Sequence, residues 1–418
     1  MTTQKDTPRR SALNTMLPTA SVHVFSAEEH TQDIIASLEG DWRFGRVTLE
    51  VKGGGIDEAI ALYAESPSPS VIILQTDDTG DSFRGRLEKL AGQCAEGTRA
   101  LVIGPVNDVQ LYRQLTALGI SDYLVHPVSL FDMAEAISGT LLEMLGASDS
   151  RLIAVIGAKG GVGTTNVAHM AAQIAAETLG QKTILLDAAA GHSTLWAQFG
   201  FSPNGTLVEA AKAAIDRDHD TLSRILMAVS ENLTFMNTGA EPLLVNGSQQ
   251  KLFEMLLERM LAQYPVVIAD LSSTSPAIQS HVISRANGVF VVTTPTVNAL
   301  SVSRTLIREI LTMRGQETGS LHMIVNRRGE MPSYEVSDKE ISSAVGFDVA
   351  VNMPYTPKLF LKAESDGKRP GDLPEGAKLQ AVLEPIVAEY LGVSSEDHAE
   401  SENGGGGFLP GLLKKFSS

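Results

Sequence analysis

The sequence predicts two α/β domains, a smaller doubly wound domain followed by a larger domain with a mostly parallel sheet. Three observations support this prediction. Short apolar or β-branched runs alternate with helix-length segments along most of the chain, as they do where parallel strands are joined by crossover helices. A glycine-rich loop stands between one such run and the next helix-length segment, at residues 158–166. The 418 residues also exceed the length at which a single core usually stops growing.

The first domain is predicted over residues 20–147 from five strand-like runs. These runs begin at Val22, Val47, Val71, Ala100 and Tyr123. Helix-length segments such as 56–65 separate them, so a doubly wound sheet is expected. Residues 1–19 are expected to be a disordered N-terminus. The boundary with the second domain is expected near residues 146–150, where small polar residues interrupt the passage from helix to strand.

The end of the first domain resembles the receiver domains of response regulators. Residues 119–127 look like the pattern G-A-x-D-Y-L-x-K-P, with Ile120 in place of the alanine and His126 in place of the lysine. The resemblance implies a phospho-acceptor aspartate at the end of the third strand, where Gln75 stands, and an acidic pair where Ser26 and Ala27 stand. We therefore expect a flavodoxin-like pseudo-receiver that docks other proteins, and a true response regulator is excluded.

The glycine-rich loop has the composition of a phosphate-binding loop. It follows the apolar run 152–156 and precedes the helix-length run 167–176, which is the context that such a loop requires. Glycines let backbone N–H groups point at phosphate oxygens, and the helix presents its positive end to the same anion. In the ordinary pattern G-x-x-x-x-G-K-[ST] a lysine precedes the hydroxyl residue, but here Thr164 precedes Thr165. The alternative interpretation is a glycine turn that binds nothing.

A lysine stands at the start of the loop instead, at Lys159. The arrangement K-G-G-x-G-x-T resembles the deviant phosphate loop of the MinD/ParA family, whose early lysine reaches across a dimer interface to the partner's nucleotide. The resemblance implies a homodimer that binds ATP and Mg²⁺, with the Thr165 hydroxyl at the metal. The implied nucleotide-binding residues of the loop are Lys159, Gly160, Gly161, Val162, Gly163, Thr164 and Thr165.

Two strand-like runs of the second domain end in acids, Asp187 and Asp270. Ligands of open α/β sheets bind at this edge, and the resemblance implies that both acids belong to the nucleotide site, with Asp270 holding Mg²⁺ through water. The class motif after the first run is D-x-D, but Ala189 replaces the second acid, which positions water in hydrolysing relatives. With an uncharged Thr164 as well, we expect ATP hydrolysis to be very slow or absent. A strand-end Asp can instead cap the next helix.

Further strand-like runs at 288–293 and 321–326 extend the larger sheet. The ATP-binding domain is predicted over residues 151–392. The resemblance implies that Asn326 and the proline-containing turn 352–357 flank the nucleotide base. An Asn at the end of a strand can also be a plain turn former, so both interpretations of Asn326 stay open.

Composition excludes several classes of protein. The net charge of −16 makes broad adhesion to nucleic acid unexpected. Cys94 is the single cysteine, so there is no internal disulfide, and a nitrogenase-type iron protein, which needs paired cysteines, is excluded. No run approaches the ~20 apolar residues of a membrane span, and no signal-peptide core follows the start. We therefore expect a cytoplasmic protein.

The last segment predicts a tether and an anchor. Residues 393–407 are acidic and then glycine-rich, which is typical of a linker. Residues 408–418 place Leu412, Leu413 and Phe416 on one helical face beside two lysines. MinD-like proteins carry a similar tail that binds membrane when dimerised, so peripheral binding at the inner face of the plasma membrane is expected. The alternative is a frayed terminus or a tail packed on its own domain.

A MinD/ParA-like domain behind a degenerate receiver, with the late run 354–360, resembles the TadZ/CpaE family of localisation proteins for Tad-type (Flp) pilus assembly over about residues 20–392. The resemblance implies a nucleotide-dependent dimer that marks a site, often a cell pole, for the pilus secretion machinery or polar landmark proteins. The alternative is a ParA/MinD-like ATPase that positions DNA or another cargo. A cell-division MinD would begin at the phosphate loop.

Overall fold

The computed structural model describes residues 16–144, 150–188, 195–236, 238–239 and 249–391. Ala189, the linker 393–407, the tail 408–418 and residues 146–149 of the expected domain boundary lie outside the described residues. So do residues 1–15 of the expected N-terminus, whereas Leu17 is buried in the core of the first domain. No described helix has the length and apolar character needed to cross a bilayer.

The first domain is a five-stranded parallel sheet with helices on both faces. Its elements are β1 (Ala20–Phe25), α1 (Glu29–Glu39), β2 (Val47–Lys52), α2 (Ile56–Tyr63), β3 (Val71–Gln75), α3 (Asp81–Ala91), β4 (Arg99–Gly104), α4 (Val109–Ala117), β5 (Asp122–Val125) and α5 (Leu130–Met144). The strand order is β2-β1-β3-β4-β5, the flavodoxin-like order of doubly wound sheets. The predicted fold class of this domain is confirmed.

The second domain is built on an eight-stranded sheet of order β13-β12-β11-β6-β10-β7-β9-β8. Its first elements are β6 (Arg151–Gly157), α6 (Thr164–Gln173), β7 (Thr183–Asp187), α7 (Leu195–Gln198), α8 (Leu207–Asp216), α9 (His219–Ile225), β8 (Leu226–Ala228), β9 (Leu233–Met236), α10 (Gln249–Leu261) and β10 (Val266–Asp270). Then follow α11 (Pro276–Arg285), β11 (Gly288–Thr293), α12 (Val297–Met313), β12 (Leu321–Arg328), α13 (Asp338–Val345), β13 (Val349–Pro354), α14 (Pro357–Asp366) and α15 (Pro374–Leu391). Among the strand pairs that the structure describes in this sheet, only β8–β9 is antiparallel, so the prediction of a mostly parallel sheet is confirmed.

The central strands of the second domain are buried on both faces. Strands β7, β10 and β11 are buried along their whole length, and a separate apolar core lies on each side of the sheet. Strands covered on both faces need apolar side chains at every position, which explains why these segments read as continuous apolar runs without alternation. Polar side chains are left to the strand ends, where the candidate site lies.

The two domains are in contact through the end of α11. Arg314 follows α12, is completely buried, and donates hydrogen bonds to the carbonyls of Ile283 (2.6 Å) and Ala286 (2.8 Å). Its guanidinium lies 5.4 Å from the ring centre of Trp42, in a 3₁₀ helix (Trp42–Phe44) of the first domain. The backbone N–H of Met16 also donates to the Ser284 carbonyl at 2.9 Å. The first domain thus packs on the C-terminal end of α11.

Replacing Arg314 tests this contact. Arg314→Met leaves the buried carbonyls of Ile283 and Ala286 without their donor, and each unsatisfied buried polar group costs about 1–3 kcal/mol. We expect the free energy of unfolding to fall by about 3 kcal/mol, measured as a shift of the second domain's urea transition to lower concentration. Arg304→Met, at an exposed position of α12, is the control and should change it by less than ~0.5 kcal/mol. Equal transitions for the two variants would contradict the assigned role of Arg314.

Candidate functional site

The phosphate-binding loop lies between the end of β6 and the start of α6. Gly161 and Gly163 have φ angles of 81° and 92°, a left-handed backbone that other residues rarely adopt. A Cβ on Gly160 or Gly161 would meet nothing within 4 Å, so this stretch of backbone faces open space that an anion can enter. Helix α6 begins at Thr164, and its unpaired N–H groups and positive end favour an anion there.

Asn326, near the end of β12, holds the loop in place. Its side-chain Nδ2 donates to the Val162 carbonyl at 2.8 Å, and its Oδ1 accepts from the Arg327 N–H at 2.8 Å. A Cβ on Gly163 would lie 2.3 Å from the same Nδ2, so glycine is needed there for space as well as for backbone angle. The sequence identified Asn326 as a candidate site residue but not this bond; the predicted contact with the base stays a prediction.

The strand register places the two acids next to each other. Strands β7 and β10 are parallel neighbours, and Asp187 is the direct partner of Asp270. Both side chains are fully buried. Oδ1 of Asp270 accepts from the Ser272 N–H at 2.9 Å, while Oδ2 has no hydrogen-bond partner among the described residues. Burial raises the pKa of Asp270, and the hydrogen bond from Ser272 only partly offsets it. A nearby cation would stabilise the charged form.

Hydroxyl groups complete this end of the site. Oγ1 of Thr165 lies 3.0 Å from Oγ of Ser272, beside the Asp270 carboxyl group. Mg²⁺ prefers oxygen ligands, takes few of them from the protein and keeps several waters. The described residues hold no group of three or more His, Cys, Asp or Glu that would suit another metal. Thr165 and Asp270 therefore fit Mg²⁺ in the presence of a phosphate. Sequence reasoning missed Ser272, because a serine two residues after a strand end carries no distinctive signal.

The two unusual loop positions differ in their surroundings. Thr164 is buried, and its Oγ1 would lie 2.1 Å from a Cβ built on Gly157, so the hydroxyl is packed against the end of β6. Lys159 is exposed, and its Nζ is 3.4 Å from the Gly160 carbonyl, at the limit of a hydrogen bond. The loop thus has no positive charge at position 164. Its positive charge is on Lys159, whose exposed side chain can extend outward.

A buried histidine connects the helix after the loop to α7. Gln198 donates from Nε2 to Asn166 Oδ1 at 3.0 Å and accepts at Oε1 from His169 Nδ1 at 2.9 Å. His169 is fully buried, and its ring centre lies 4.3 Å from that of Phe199. Burial lowers the pKa of His169 to about 4. The neutral imidazole therefore donates the hydrogen bond that fixes Gln198 against α6.

The degenerate receiver site is occupied by a network of hydrogen bonds. Ser26 Oγ donates to Gln75 Oε1 at 2.6 Å, and Gln75 Nε2 donates to a Glu28 carboxylate oxygen. His126 Nε2 lies 3.8 Å from Asp77 Oδ1. An amide at the end of β3 cannot accept a phosphoryl group as a carboxylate does. This arrangement agrees with the pseudo-receiver interpretation, and the absence of phosphorylation stays a prediction.

Solved structures of other proteins resemble this chain. A CpaE2 pilus assembly protein from Sinorhizobium meliloti is 38% identical over 29% of this chain and 98% of that chain, with a TM-score of 0.28. A pilus assembly protein CpaE from Caulobacter crescentus is 31% identical over 30% of this chain and 97% of its own, with a TM-score of 0.30. Both matches lie in the N-terminal part. No protein-family model and no curated protein matches the chain.

A ParA-family ATPase from Chlorobium tepidum is 16% identical over 57% of this chain and 98% of that chain, with a TM-score of 0.51. At this identity the likeness shows the fold alone. It agrees with the mostly parallel sheet of the second domain, and the predicted MinD/ParA-like fold is confirmed.

The buried His169 predicts a pH dependence of stability. Its folded-state pKa of about 4 lies below its ordinary value of 6.5, so the unfolded chain binds the extra proton first as the pH falls. Stability from this group is therefore full above pH 6.5 and is lost between pH 6.5 and 4, at up to roughly 1.4 kcal/mol per pH unit.

The measurement is urea unfolding across that pH range. His169→Gln removes the titrating group and should flatten the slope, even if the variant is less stable at pH 7. His219→Gln, at an exposed position in α9, is the matched control and should keep the wild-type slope. An unchanged slope in His169→Gln would show that this histidine is not the source.

Proposed function

Because the chain belongs to the CpaE family of pilus assembly proteins, we propose that it is an ATP-binding, dimeric localisation factor for Tad-type (Flp) pilus assembly. In this proposal the protein acts by associating and placing its partners, with little or no ATP hydrolysis. The partners would be the pilus secretion machinery or landmark proteins at a cell pole. One observation carries the proposal. The loop has open backbone N–H groups and oxygen ligands for a metal at Thr165 and Asp270, but position 164 has no lysine.

The proposed nucleotide contacts follow from the geometry of the loop. Backbone N–H groups of residues 160–163 would bind the phosphates, because Gly160 and Gly161 leave that side open. The Thr165 hydroxyl and the Asp270 carboxylate would hold Mg²⁺, which supplies positive charge to the phosphates when it is bound. Asn326 would keep the loop in its binding conformation through Val162. These four features are independent of the missing lysine, so they support binding without turnover.

The proposed dimer follows from the balance of charge. A triphosphate bound at this loop would have no lysine beside it from position 164, because Thr164 is neutral and packed against β6. No ion pair of the described residues includes Lys159, whose ammonium is exposed. A second copy can therefore supply the missing charge by reaching into the site with its own Lys159. Nucleotide binding and association would then depend on each other.

The last segment is proposed to take this dimer to the membrane. One tail would bind weakly, because few apolar side chains insert and a short helix must be ordered. Two tails on one dimer raise the effective concentration of the second. Lys414 and Lys415 would add attraction to anionic lipid.

The Lys159→Ala variant tests the coupling of nucleotide and dimer. We expect wild type to bind Mg-ATP in isothermal titration and to form a dimer in analytical ultracentrifugation. Lys159→Ala should keep an intact loop but lose at least about tenfold in ATP-dependent association, since a charged contact of about 1.4 kcal/mol or more is removed from each of the two sites. Lys378→Ala, at an exposed position in α15, should behave as wild type.

Two results would contradict this prediction. Folded wild type that binds no ATP would overturn the nucleotide site, and a Lys159→Ala protein that dimerises like wild type would overturn the role of the lysine. In cells that assemble pili, fluorescent fusions should form foci for wild type and Lys378→Ala and be diffuse for Lys159→Ala.

ATP turnover is expected to be far below that of ordinary phosphoryl-transfer enzymes. Loss of one preorganised charge or hydrogen bond to the transferring group commonly costs ~10²-fold or more in rate, and this chain lacks both the loop lysine and the second acid at Ala189. The measurement is phosphate release from Mg-ATP with the dimer formed. A turnover number of roughly 1 s⁻¹ or higher would refute the prediction. Asp270→Asn should abolish any residual release.

A further inference from the structure

A groove on the outer side of the first domain has no occupant among the described residues. It has a volume of about 640 Å³ and lies between β5 and α5, within the size range of ligand-binding pockets. Strand β5 is the last strand of its sheet, so its outer edge pairs with no other strand in the described part of the chain. Val125 (37% exposed) and Phe131 (56% exposed) are large apolar side chains that line the groove. Exposed apolar surface beside a free strand edge favours binding of a peptide segment.

The rim of the groove is acidic. It carries Asp122, Asp132, Glu135 and Glu143, and α5 contains no lysine or arginine. No ion pair of the described residues includes Asp122, Glu135 or Glu143. Burial raises the pKa of Asp122, so a cation placed beside it would be favourable. The groove therefore fits a segment that is both apolar and basic.

A second copy of the same face is a poor occupant. In a two-fold interface each surface meets itself, so the acids of α5 would face the acids of the partner's α5 with no base to neutralise them. Like charges placed opposite each other cost free energy, most of all where water is excluded. A partner that covers the apolar surface of this groove should therefore be positively charged, opposite to the acidic rim.

The chain itself contains such a segment. Residues 408–418 hold five large apolar side chains, two lysines and no acid, in a chain whose net charge is −16. Phe408, Leu412, Leu413 and Phe416 provide the apolar surface, and Lys414 and Lys415 provide the charge. The segment lies outside the described residues.

The chain leaves the second domain on the side where the first domain is docked. Tyr390, next to the last described residue, covers Gly288, where a Cβ would come within 2.7 Å of its ring. Two residues earlier, the Ala286 carbonyl accepts from Arg314, which stacks on Trp42 of the first domain. Trp42 follows α1, and α1 shares one apolar core with α5.

The intervening chain is long enough to reach the groove. Residues 392–407 can span at most about 58 Å when extended, whereas a domain of this size has a radius of gyration of only about 14 Å. Tethering also raises the local concentration of the tail to the millimolar range for a flexible linker. Weak intrinsic affinity is therefore sufficient for the tail to occupy the groove.

From these observations we infer that residues 408–418 dock in the β5–α5 groove of the first domain, with the apolar side chains against Val125 and Phe131 and the lysines at the acidic rim. The inference goes beyond nucleotide-dependent localisation and does not need ATP. The docked tail is withheld from any other surface, so the groove and an anionic membrane compete for the same eleven residues.

A peptide-binding experiment tests the inference. The probe is a fluorescent synthetic peptide of residues 404–418, titrated without nucleotide into protein that lacks residues 408–418 and followed by anisotropy. We expect saturable binding, at least tenfold weaker binding to full-length protein, whose own tail competes, and a similar loss in the tail-deleted Phe131→Asp variant. Val51→Asp, on the exposed surface of the opposite edge strand β2, is the matched control and should bind as the tail-deleted parent does.

Charge reversal separates docking from misfolding. Glu135→Lys with Glu143→Lys in the tail-deleted protein should weaken the natural peptide at least tenfold and restore binding of a peptide carrying Lys414→Glu and Lys415→Glu. A variant that had merely lost its fold would bind neither peptide. The inference is overturned if the natural peptide does not bind the tail-deleted protein, or if it binds the Phe131→Asp variant equally well. It is also overturned if the peptide binds phosphatidylserine vesicles but not the protein, because the tail is then a membrane anchor only.

Discussion

The parallel pairing of β10 with β6 on one side and β7 on the other is the constraint on which the candidate site depends. It aligns Asp270 with Asp187 and brings both to the edge where β6 gives way to the glycine loop. Parallel strands all end at the same edge, so groups far apart in sequence converge there without any local signal. The register also explains the burial of both acids, because each is the last residue of a strand covered on both faces. A buried carboxyl group of this kind is stable in its charged form only beside a cation or hydrogen-bond donors.

Charge connects the loop to the proposed assembly. Within one copy, the loop offers backbone dipoles and the start of α6, but these are partial charges. A nucleotide triphosphate needs more positive charge than they provide, and Thr164 does not add it. Mg²⁺ at Thr165 and Asp270 would offset one part, and the exposed Lys159 of another copy would offset the rest. In the proposed dimer, the threonine at position 164 would both slow ATP hydrolysis and make nucleotide binding depend more strongly on dimer formation.

The fold class could be predicted from the sequence for two reasons. Strand-like runs alternate regularly with helix-length segments, and the glycine loop lies between a strand-like run and a helix-length run. It also named Thr165, Asp187 and Asp270, which the structure brings to one sheet edge. It did not find the Asn326–Val162 bond, which joins residues 164 positions apart, or the hydroxyl of Ser272. The His169–Gln198–Asn166 network was missed for the same reason, since pairings between distant side chains depend on tertiary packing. The β5–α5 groove likewise arises only when the edge strand and the last helix of the first domain come together.

Helix α11 connects the domain contact to the metal side of the site. Its N-cap Ser275 follows Asp270 by five residues, and the intervening Ser273 has a left-handed backbone with φ of 58°. Its other end supplies the carbonyls that Arg314 and Met16 bind, and its His281 lies 2.9 Å from Arg46 of the first domain. The helix thus has a residue with a left-handed backbone just before one end and a buried interface with the first domain at the other. The first domain therefore packs on the element that begins after the Asp270 loop, and the two domains meet through α11.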